Sequence, residues 1–85
     1  MDLSERFARN LVAQREKAGM SQEELAFRAN LHRTQISLNE TGKRRPRLDT
    51  LVKLAGALGI SPEDLLEGIS WDPNAMTSGN FKVAE

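Results

Sequence analysis

Residues that stop helices are the feature of this chain that most restricts its fold. Apolar residues recur at helical spacing, but each run of them soon ends at a residue type that accepts the left-handed backbone conformation. These stops are Gly19, Asn30, Gly42 and Gly59. These closely spaced stops predict a bundle of short helices rather than one long helix.

The first two predicted helices are separated by the stop at Gly19. Residues 3 to 17 form the first, because apolar side chains recur there at near-helical spacing. The recurring residues are Leu3, Phe7, Leu11 and Ala18. The second helix covers residues 22 to 29 and begins at the sequence SQEE, in which the Ser21 hydroxyl and the Glu24 carboxylate can reciprocally satisfy unpaired backbone amides.

A third helix is predicted over residues 33 to 41, with Ile36 facing inward. Pro46 disfavours a helical conformation just before itself, so residues 42 to 47 are predicted to form a loop. The strongest helical pattern of the chain, LDTLVKLAGALG, follows as the fourth helix. Its predicted apolar face, assigned to the core, is Leu48, Leu51, Val52, Ala55 and Leu58.

A short fifth helix is predicted at the sequence SPEDLL, where Ser61 is the N-cap and Pro62 the first helical residue. The helical domain is therefore expected to cover residues 1–68, which makes the fold class all-α with five helices. Gly68 marks a change of character, and a C-terminal extension of residues 69–85 follows.

The extension alternates apolar and polar residues on both sides of the turn-forming sequence DPNAMTSGN. The apolar members are Ile69, Trp71, Phe81 and Val83. This pattern predicts a β-hairpin, which is marginally stable by itself. Two arrangements follow: the hairpin folds back on its own helices, or its strands pair with those of a second chain. We favour pairing, because strand edges add readily and Trp and Phe are common interface anchors.

Charge is unevenly distributed along a chain that is neutral as a whole, with 12 basic and 12 acidic side chains. Residues 28 to 53 hold seven basic and two acidic residues, a net of +5. Residues 1 to 27 have a net charge of −1 and residues 54 to 85 a net charge of −4. A local positive face of this kind suits an acidic partner.

The composition disfavours several other classes of protein. The chain has no Cys and one His, which leaves no thiolate metal site and no cluster of metal ligands, and no Gly-rich phosphate loop precedes a Lys-Ser/Thr pair. We therefore expect no enzyme, no metal and no cofactor. No apolar run reaches the ~20 residues that span a bilayer, and the start lacks a signal-peptide core, so a cytoplasmic location is expected.

Two short helices joined by a tight turn inside an all-helical domain are typical of helix-turn-helix DNA-binding proteins. Ala26 is small where the second and third predicted helices approach, Asn30 lies at the turn between them, and Ile36 locks the third helix against the second. With the motifs SQEELA, ETGKRRP, LDTL and ALGISPEDLL, these residues resemble the phage-repressor-like family, also called the Cro/repressor or xenobiotic-response-element (XRE) family. The resemblance covers about residues 6 to 67 and implies a lambda-repressor-like fold.

The resemblance also implies roles at matching positions. The third helix is expected to enter the major groove as a recognition helix, and its base-facing side chains are Arg33, Thr34, Ser37 and Leu38. A second set is expected to bind backbone phosphates, and it comprises Gln22, Thr41, Lys43, Arg44, Arg45 and Arg47. Arg15 and Glu40 match an ion pair that ties the first helix to the third.

The chemistry of these side chains agrees with the implied roles. The planar guanidinium of Arg33 can donate to two acceptors of one guanine. Thr34 can donate a hydrogen bond to a base, accept one from it or contact a thymine methyl, whereas Leu38 can make apolar contacts only. The basic loop of residues 43 to 47 can neutralise phosphates without reading bases.

Two positions depart from the family's pattern. Asn39 occupies a place that is usually apolar, so the third helix either packs less tightly there or buries a hydrogen-bonded amide. His32 stands where a capping Ser or Thr is common, which predicts a less firm start to the same helix.

Together these features predict a sequence-specific regulator of transcription that binds double-stranded DNA, a repressor or autoregulator. One helix-turn-helix reads few base pairs, so a homodimer on a palindromic operator is expected. The alternative is an antitoxin or protein-interaction module built on the same fold. Arg33 and Thr34 beside the positive segment favour DNA, because a protein partner would favour an apolar face, which Leu38 alone provides.

Overall fold

The structure is a computed structural model that describes residues 1–73 and 81–84. It confirms the all-α class with five helices and a short C-terminal hairpin. The helices are α1 (Leu3–Lys17), α2 (Gln22–Ala29), α3 (Arg33–Glu40), α4 (Leu48–Leu58) and α5 (Pro62–Leu65). The strands are β1 (Ile69–Trp71) and β2 (Phe81–Val83).

The predicted helix stops all have left-handed backbone conformations. Asn30 is the instructive one, because it reaches φ 55° and ψ 49° with a side chain attached. Asparagine is among the few non-glycine residues that tolerate this region. The resulting turn directs the Leu31 amide back to the Ala26 carbonyl at 2.9 Å. Asn30 therefore ends α2 and begins the turn toward α3.

Side chains also fix the helix starts, with one correction to the predicted caps. The Ser21 hydroxyl accepts a hydrogen bond from the Glu24 amide at 3.0 Å, as the sequence predicts. The Glu24 carboxylate lies 3.7 Å from Arg28, so among the described hydrogen bonds only the serine half of the reciprocal cap is formed. The reciprocal form occurs at α5, where the Ser61 amide donates to Asp64 at 3.2 Å.

One apolar core holds the five helices together. Every helix contributes to this core. Six of its largest members are Phe7, Leu11, Leu25, Ile36, Leu54 and Leu65. Each of these is at most 1% exposed. Since burying a side chain of this size stabilises the fold by ~1.5–3 kcal/mol, the set explains why such short helices are stable together.

The apolar face predicted for α4 is wrong at two positions. Leu48 is 78% exposed and Val52 is 55% exposed, whereas Leu54, which the predicted face omitted, is fully buried. The helix is apolar over more than one face, so periodicity alone could not select the side that meets α2. Ala18 was likewise assigned to the face of α1 but lies beyond its end, as an exposed C-cap.

The strands pair with each other antiparallel, with Ile69 opposite Val83 and Trp71 opposite Phe81. The last two rings meet edge to face with their centroids 5.3 Å apart. Residues 74–80 of the predicted turn lie outside the described residues. The structure thus pairs the strands within one chain, and pairing with a second chain stays a prediction.

Arg6 on α1 attaches the hairpin to the helices. Its Nε donates to the Glu67 carbonyl at 2.9 Å and its Nη1 donates to the Ala84 carbonyl at 3.2 Å. Gly68 leaves room for this guanidinium, because a Cβ there would stand 2.8 Å from it. The arrangement is the fold-back alternative raised by the sequence.

No membrane-spanning helix occurs in residues 1–73 and 81–84. The longest helix there has 15 residues, and none is long and apolar enough to cross a bilayer.

Candidate nucleic-acid interface

Helices α2 and α3 form a rigid pair because small side chains let them approach. Ala26 and Ala29 of α2 are buried against the core, and so is Ile36 of α3. The inward position of Ile36 is the one predicted from the sequence. With one side of α3 fixed in this way, its other side is presented outward.

The four predicted base-reading residues lie on α3, but they are not equally exposed. Arg33 and Thr34 in the first turn are exposed, whereas Ser37 and Leu38 are half-buried. His32 takes the N-cap position in an extended conformation, without a side-chain cap hydrogen bond. The amino end of α3 is therefore its most accessible part.

The guanidinium of Arg33 is held by an acidic residue of α2. Its Nε lies 2.7 Å from Oε1 of Glu23, and both side chains remain largely in solvent. A hydrogen bond with its own backbone N–H lowers the pKa of Glu23, and the charge of Arg33 lowers it further. The carboxylate is consequently ionised at neutral pH, and the contact is a salt bridge.

The basic loop of residues 43 to 47 is tied to its surroundings by its backbone while its four cationic side chains are exposed. The amides of Lys43 and Arg44 donate to the Leu38 carbonyl at 3.0 and 3.2 Å. Arg45 instead directs its Nε to the Ser4 hydroxyl at 2.8 Å, which links the loop to the start of α1.

An open concavity of about 400 Å³ lies between the start of α3 and the basic loop. It is lined by His32, Thr34, Gln35, Leu38, Arg44, Arg45 and Arg47. Predicted base-reading and phosphate-binding residues therefore share one surface. Arg33 is not part of the lining and lies on the side of α3 nearer α2.

Asn39 is the amide buried at the usually apolar position. It is 1% exposed, and its Nδ2 donates to the Arg44 carbonyl at 2.9 Å. Within the described residues its Oδ1 has no hydrogen-bond partner. Of the two alternatives that the sequence left open, the structure has the hydrogen-bonded amide, and that amide holds the basic loop.

Arg15 and Glu40 form a two-pronged ion pair, with Nε to Oε2 at 2.6 Å and Nη2 to Oε1 at 3.1 Å. The hydrogen bond to Glu40 raises the pKa of Arg15 above its ordinary value. Arg15 also donates to the Met20 carbonyl at 2.9 Å. This pair connects α1 to the end of α3, the predicted recognition helix.

Two of the predicted phosphate ligands make internal hydrogen bonds. Gln22 donates its Nε2 to Glu40 at 3.0 Å, which adds α2 to the same network. The Thr41 hydroxyl donates to the Ser37 carbonyl at 2.9 Å, closing the last turn of α3. Each could still meet a phosphate, Gln22 through its second amide hydrogen and Thr41 only by giving up this bond. Their roles toward DNA stay predictions.

Residues of this surface that were missing from the sequence-based set include Glu23, Ser4 and Gln35, the last of which lines the concavity. Glu23 carried a usable signal, because it stands in the first turn of the helix before Arg33 and bears the opposite charge. Ser4 carried none, since nothing local to it indicates that residue 45 lies nearby.

Several known proteins have sequences similar to this chain. The profile of the HTH_3 helix-turn-helix family matches residues 11–65. Control protein C.BamHI of Bacillus amyloliquefaciens is 53% identical over 51 residues, which are 60% of this chain and 63% of that protein. The chain thus spans a little under two thirds of that relative. Control protein C.SmaI of Serratia marcescens is 42% identical over 66 residues, covering 78% and 79% of the two chains.

Solved structures agree with these sequences. The restriction-modification controller protein C.AhdI from Aeromonas hydrophila superposes with a TM-score of 0.71 at 39% identity, over 73% of this chain and 94% of that one. The hairpin lies beyond the residues matched by the family profile, which end at residue 65. Sequence and structure together show that the chain belongs to the HTH_3 helix-turn-helix family.

Proposed function

We propose that this protein is a sequence-specific regulator of transcription that binds double-stranded DNA, with α3 as the recognition helix. The relatives named control or controller proteins support a regulatory role, and repression or autoregulation belongs to the same proposal. A cytoplasmic location belongs to the same proposal. The acids and serines that start the helices are used as caps, so the proposal gives them no catalytic role.

The observation that carries the proposal is the shared surface beside α3. Thr34 and Leu38 line it together with Arg44, Arg45 and Arg47, and Arg33 stands next to it on the same helix. An exposed helix end bearing hydrogen-bond donors, flanked by the exposed cations of the basic loop, matches the division of roles in duplex recognition. Phosphate contacts fix the position of the protein, and contacts to base edges read the sequence.

The same proposal includes a homodimer on a palindromic operator. A single recognition helix contacts few base pairs, and two copies must be held about one helical turn of DNA apart to read two half-sites. Exposed apolar side chains that could join the copies include Phe27 of α2, which is 84% exposed, and pairs on two other elements. The hairpin presents Trp71 and Phe81, while α4 presents Leu48 and Val52. We assign the contact to the hairpin, since its strand edges can also pair.

An antitoxin or protein-interaction module is the alternative function for this fold. Its partner would need an apolar face on α3, but Arg33 and Thr34 are the most exposed residues of that helix among the four predicted. Leu38 is half-buried and is flanked by the cationic loop. The balance of charge on this surface favours DNA.

Selection of bound duplexes from a random library tests the proposal. We expect the full chain to enrich one motif made of two half-sites related by a two-fold axis. The proposal would be contradicted if no motif were enriched. It would also be contradicted if the protein bound all duplexes alike and lost that binding at moderate salt.

A further inference from the structure

Glu23 is an acidic residue at the edge of a surface that is otherwise suited to phosphates. It is the second residue of α2, and its side chain is 66% exposed. A negative charge here weakens attraction to any duplex, because it opposes the cations that displace counterions from DNA. Its position therefore needs a reason other than phosphate binding, and its contact with Arg33 supplies one.

The contact leaves Arg33 able to bind a base. An arginine side chain carries five N–H donors in a fixed plane, of which a guanine uses two. Glu23 meets the guanidinium at Nε, 2.7 Å away, so donors remain for a base whether the salt bridge is single or double. The carboxylate restricts the motion of this exposed, flexible side chain and leaves it enough N–H donors to bind a base.

The segment of α2 that carries Glu23 is held by hydrogen bonds to its surroundings. The start of α2 is fixed by the hydrogen bond between Ser21 and the Glu24 amide. Its first residue, Gln22, donates to Glu40, which in turn is held by Arg15. The part of α2 that carries Glu23 is thus held against α1 and the end of α3. Such support for a recognition side chain reduces the freedom that is lost on binding.

We propose that Glu23 is a positioning residue that determines how sharply Arg33 discriminates between bases. It orients the guanidinium in the free protein and keeps that orientation against the operator. This inference rests on the proposed function, because it requires that Arg33 reads a base.

Two other roles for Glu23 lead to different results. A carboxylate can accept a hydrogen bond from the amino group of cytosine, so Glu23 could read a base directly. It could also act only as a competitor that must release Arg33 before DNA binds. Direct reading would place its effect at a different base pair, and competition would make its removal strengthen specific binding without changing base preference.

The test is the substitution Glu23→Gln, measured as equilibrium binding to the selected operator and to all its single-base variants. The matched control is Glu24→Gln, which removes the same charge from the next residue, whose carboxylate contacts Arg28 and not Arg33. We expect both variants to bind unrelated duplexes more tightly, because each removes a repulsive charge. Glu23→Gln alone should reduce discrimination at the base pair read by Arg33, by about fivefold, the upper range for an exposed ion pair.

Two further variants separate charge from geometry. Glu23→Asp keeps the charge but shortens the reach, and it should lose discrimination as Glu23→Gln does. Adding Glu23→Gln to Arg33→Ala should cause no further loss at that base pair, because the two residues act as one unit. Both side chains are exposed, and unchanged melting temperatures will show that all variants are folded.

Three results would overturn the inference: an unchanged profile in Glu23→Gln, a change at a base pair that Arg33→Ala does not affect, or tighter specific binding with the same profile. A wild-type protein that shows no discrimination would overturn the proposed function as well. The wild-type profile therefore distinguishes failure of this inference from failure of the function on which it rests.

Discussion

At the scale of single residues, the buried polar groups connect the fold to the proposed interface. Asn39 is buried between the core and the basic loop, with one amide group bonded to Arg44 and the carbonyl oxygen unpaired within the described residues. A buried polar atom without a partner costs about 1–3 kcal/mol. The bond from Asn39 to the Arg44 carbonyl connects the core to the loop that carries the predicted phosphate ligands.

The first prediction concerns Asn39→Leu. Removing the unpaired oxygen is favourable, and losing the bond to the Arg44 carbonyl is unfavourable by ~0.5–1.5 kcal/mol, so we expect the free energy of unfolding to change by less than about 1.5 kcal/mol. Affinity for the operator should fall while base preference is retained, because the loop loses an anchor. Denaturant melts and binding profiles measure the two effects. Loss of stability of several kcal/mol would instead make Asn39 essential to the core.

The Arg15–Glu40 pair is the second polar contact that the fold depends on. The Glu40 side chain is 5% exposed and that of Arg15 is 16% exposed, so removing one partner leaves the other charge poorly solvated. We expect Glu40→Ala to lower the free energy of unfolding by about 3 kcal/mol. Glu24→Ala, which breaks an exposed pair, should cost no more than about 0.5 kcal/mol. Equal effects in a urea melt would show that the first pair has no special structural role.

Residues such as these mark the limit of what the sequence could predict. Arg15 and Glu40 were paired from family positions, and their contact in the structure agrees. The role of Asn39 was open to two interpretations, looser packing of the third helix or a buried hydrogen-bonded amide, because a side chain's partner depends on packing that periodicity does not describe. The Ser4 contact to Arg45 spans 41 residues of sequence and has no local signal at all.

At the scale of elements, the helix boundaries were predictable and the helix faces were less so. Residues that accept left-handed conformations fixed the ends of α1, α2, α3 and α4 to within a residue or so. The face of α4 was misassigned because Leu48, Val52 and Leu54 are equally apolar, and only contact with α2 and α5 selects among them. Local chemistry determines where a helix stops, whereas tertiary contacts determine which side is buried.

The role of the basic loop is tested by measuring how DNA affinity depends on salt concentration. Arg44→Gln should weaken binding to the operator and to unrelated duplexes alike, and lower the slope of log affinity against log salt by roughly 0.9 for one phosphate contact. Lys17→Gln is the matched control, since Lys17 borders a different concavity beside Leu58 and Ile60. An unchanged slope with a changed base profile would mean that Arg44 reads bases.

At the scale of the whole molecule, the hairpin is an addition to a complete helical core. The largest buried side chains all precede residue 66, and Asn10 secures the end of α5 by donating to the carbonyls of Leu65 and Glu67. The hairpin contributes Ile69 to the edge of the core and leaves Trp71 and Phe81 about half exposed. Its removal should therefore affect assembly more than folding.

Truncation after Gly68 tests this division. We expect a folded helical domain that sediments as a monomer and binds a palindromic operator far more weakly, because the second half-site contact becomes bimolecular. Analytical ultracentrifugation and circular dichroism measure assembly and folding. The companion variant is Leu48→Ser in the full chain. A truncated protein that remains dimeric, with dimerisation lost in Leu48→Ser, would move the interface to α4.

The central claim is that the amino end of α3 reads bases while the adjacent loop binds phosphates. Its most direct test is the binding of Arg33→Ala to the selected operator and to every single-base variant at one fixed salt concentration. We expect discrimination to fall by about 1–3 kcal/mol at one base pair in each half-site, in addition to a smaller loss of affinity for every duplex from the removed positive charge. A base profile identical to that of the wild type, with or without a uniform loss of affinity, would contradict this assignment.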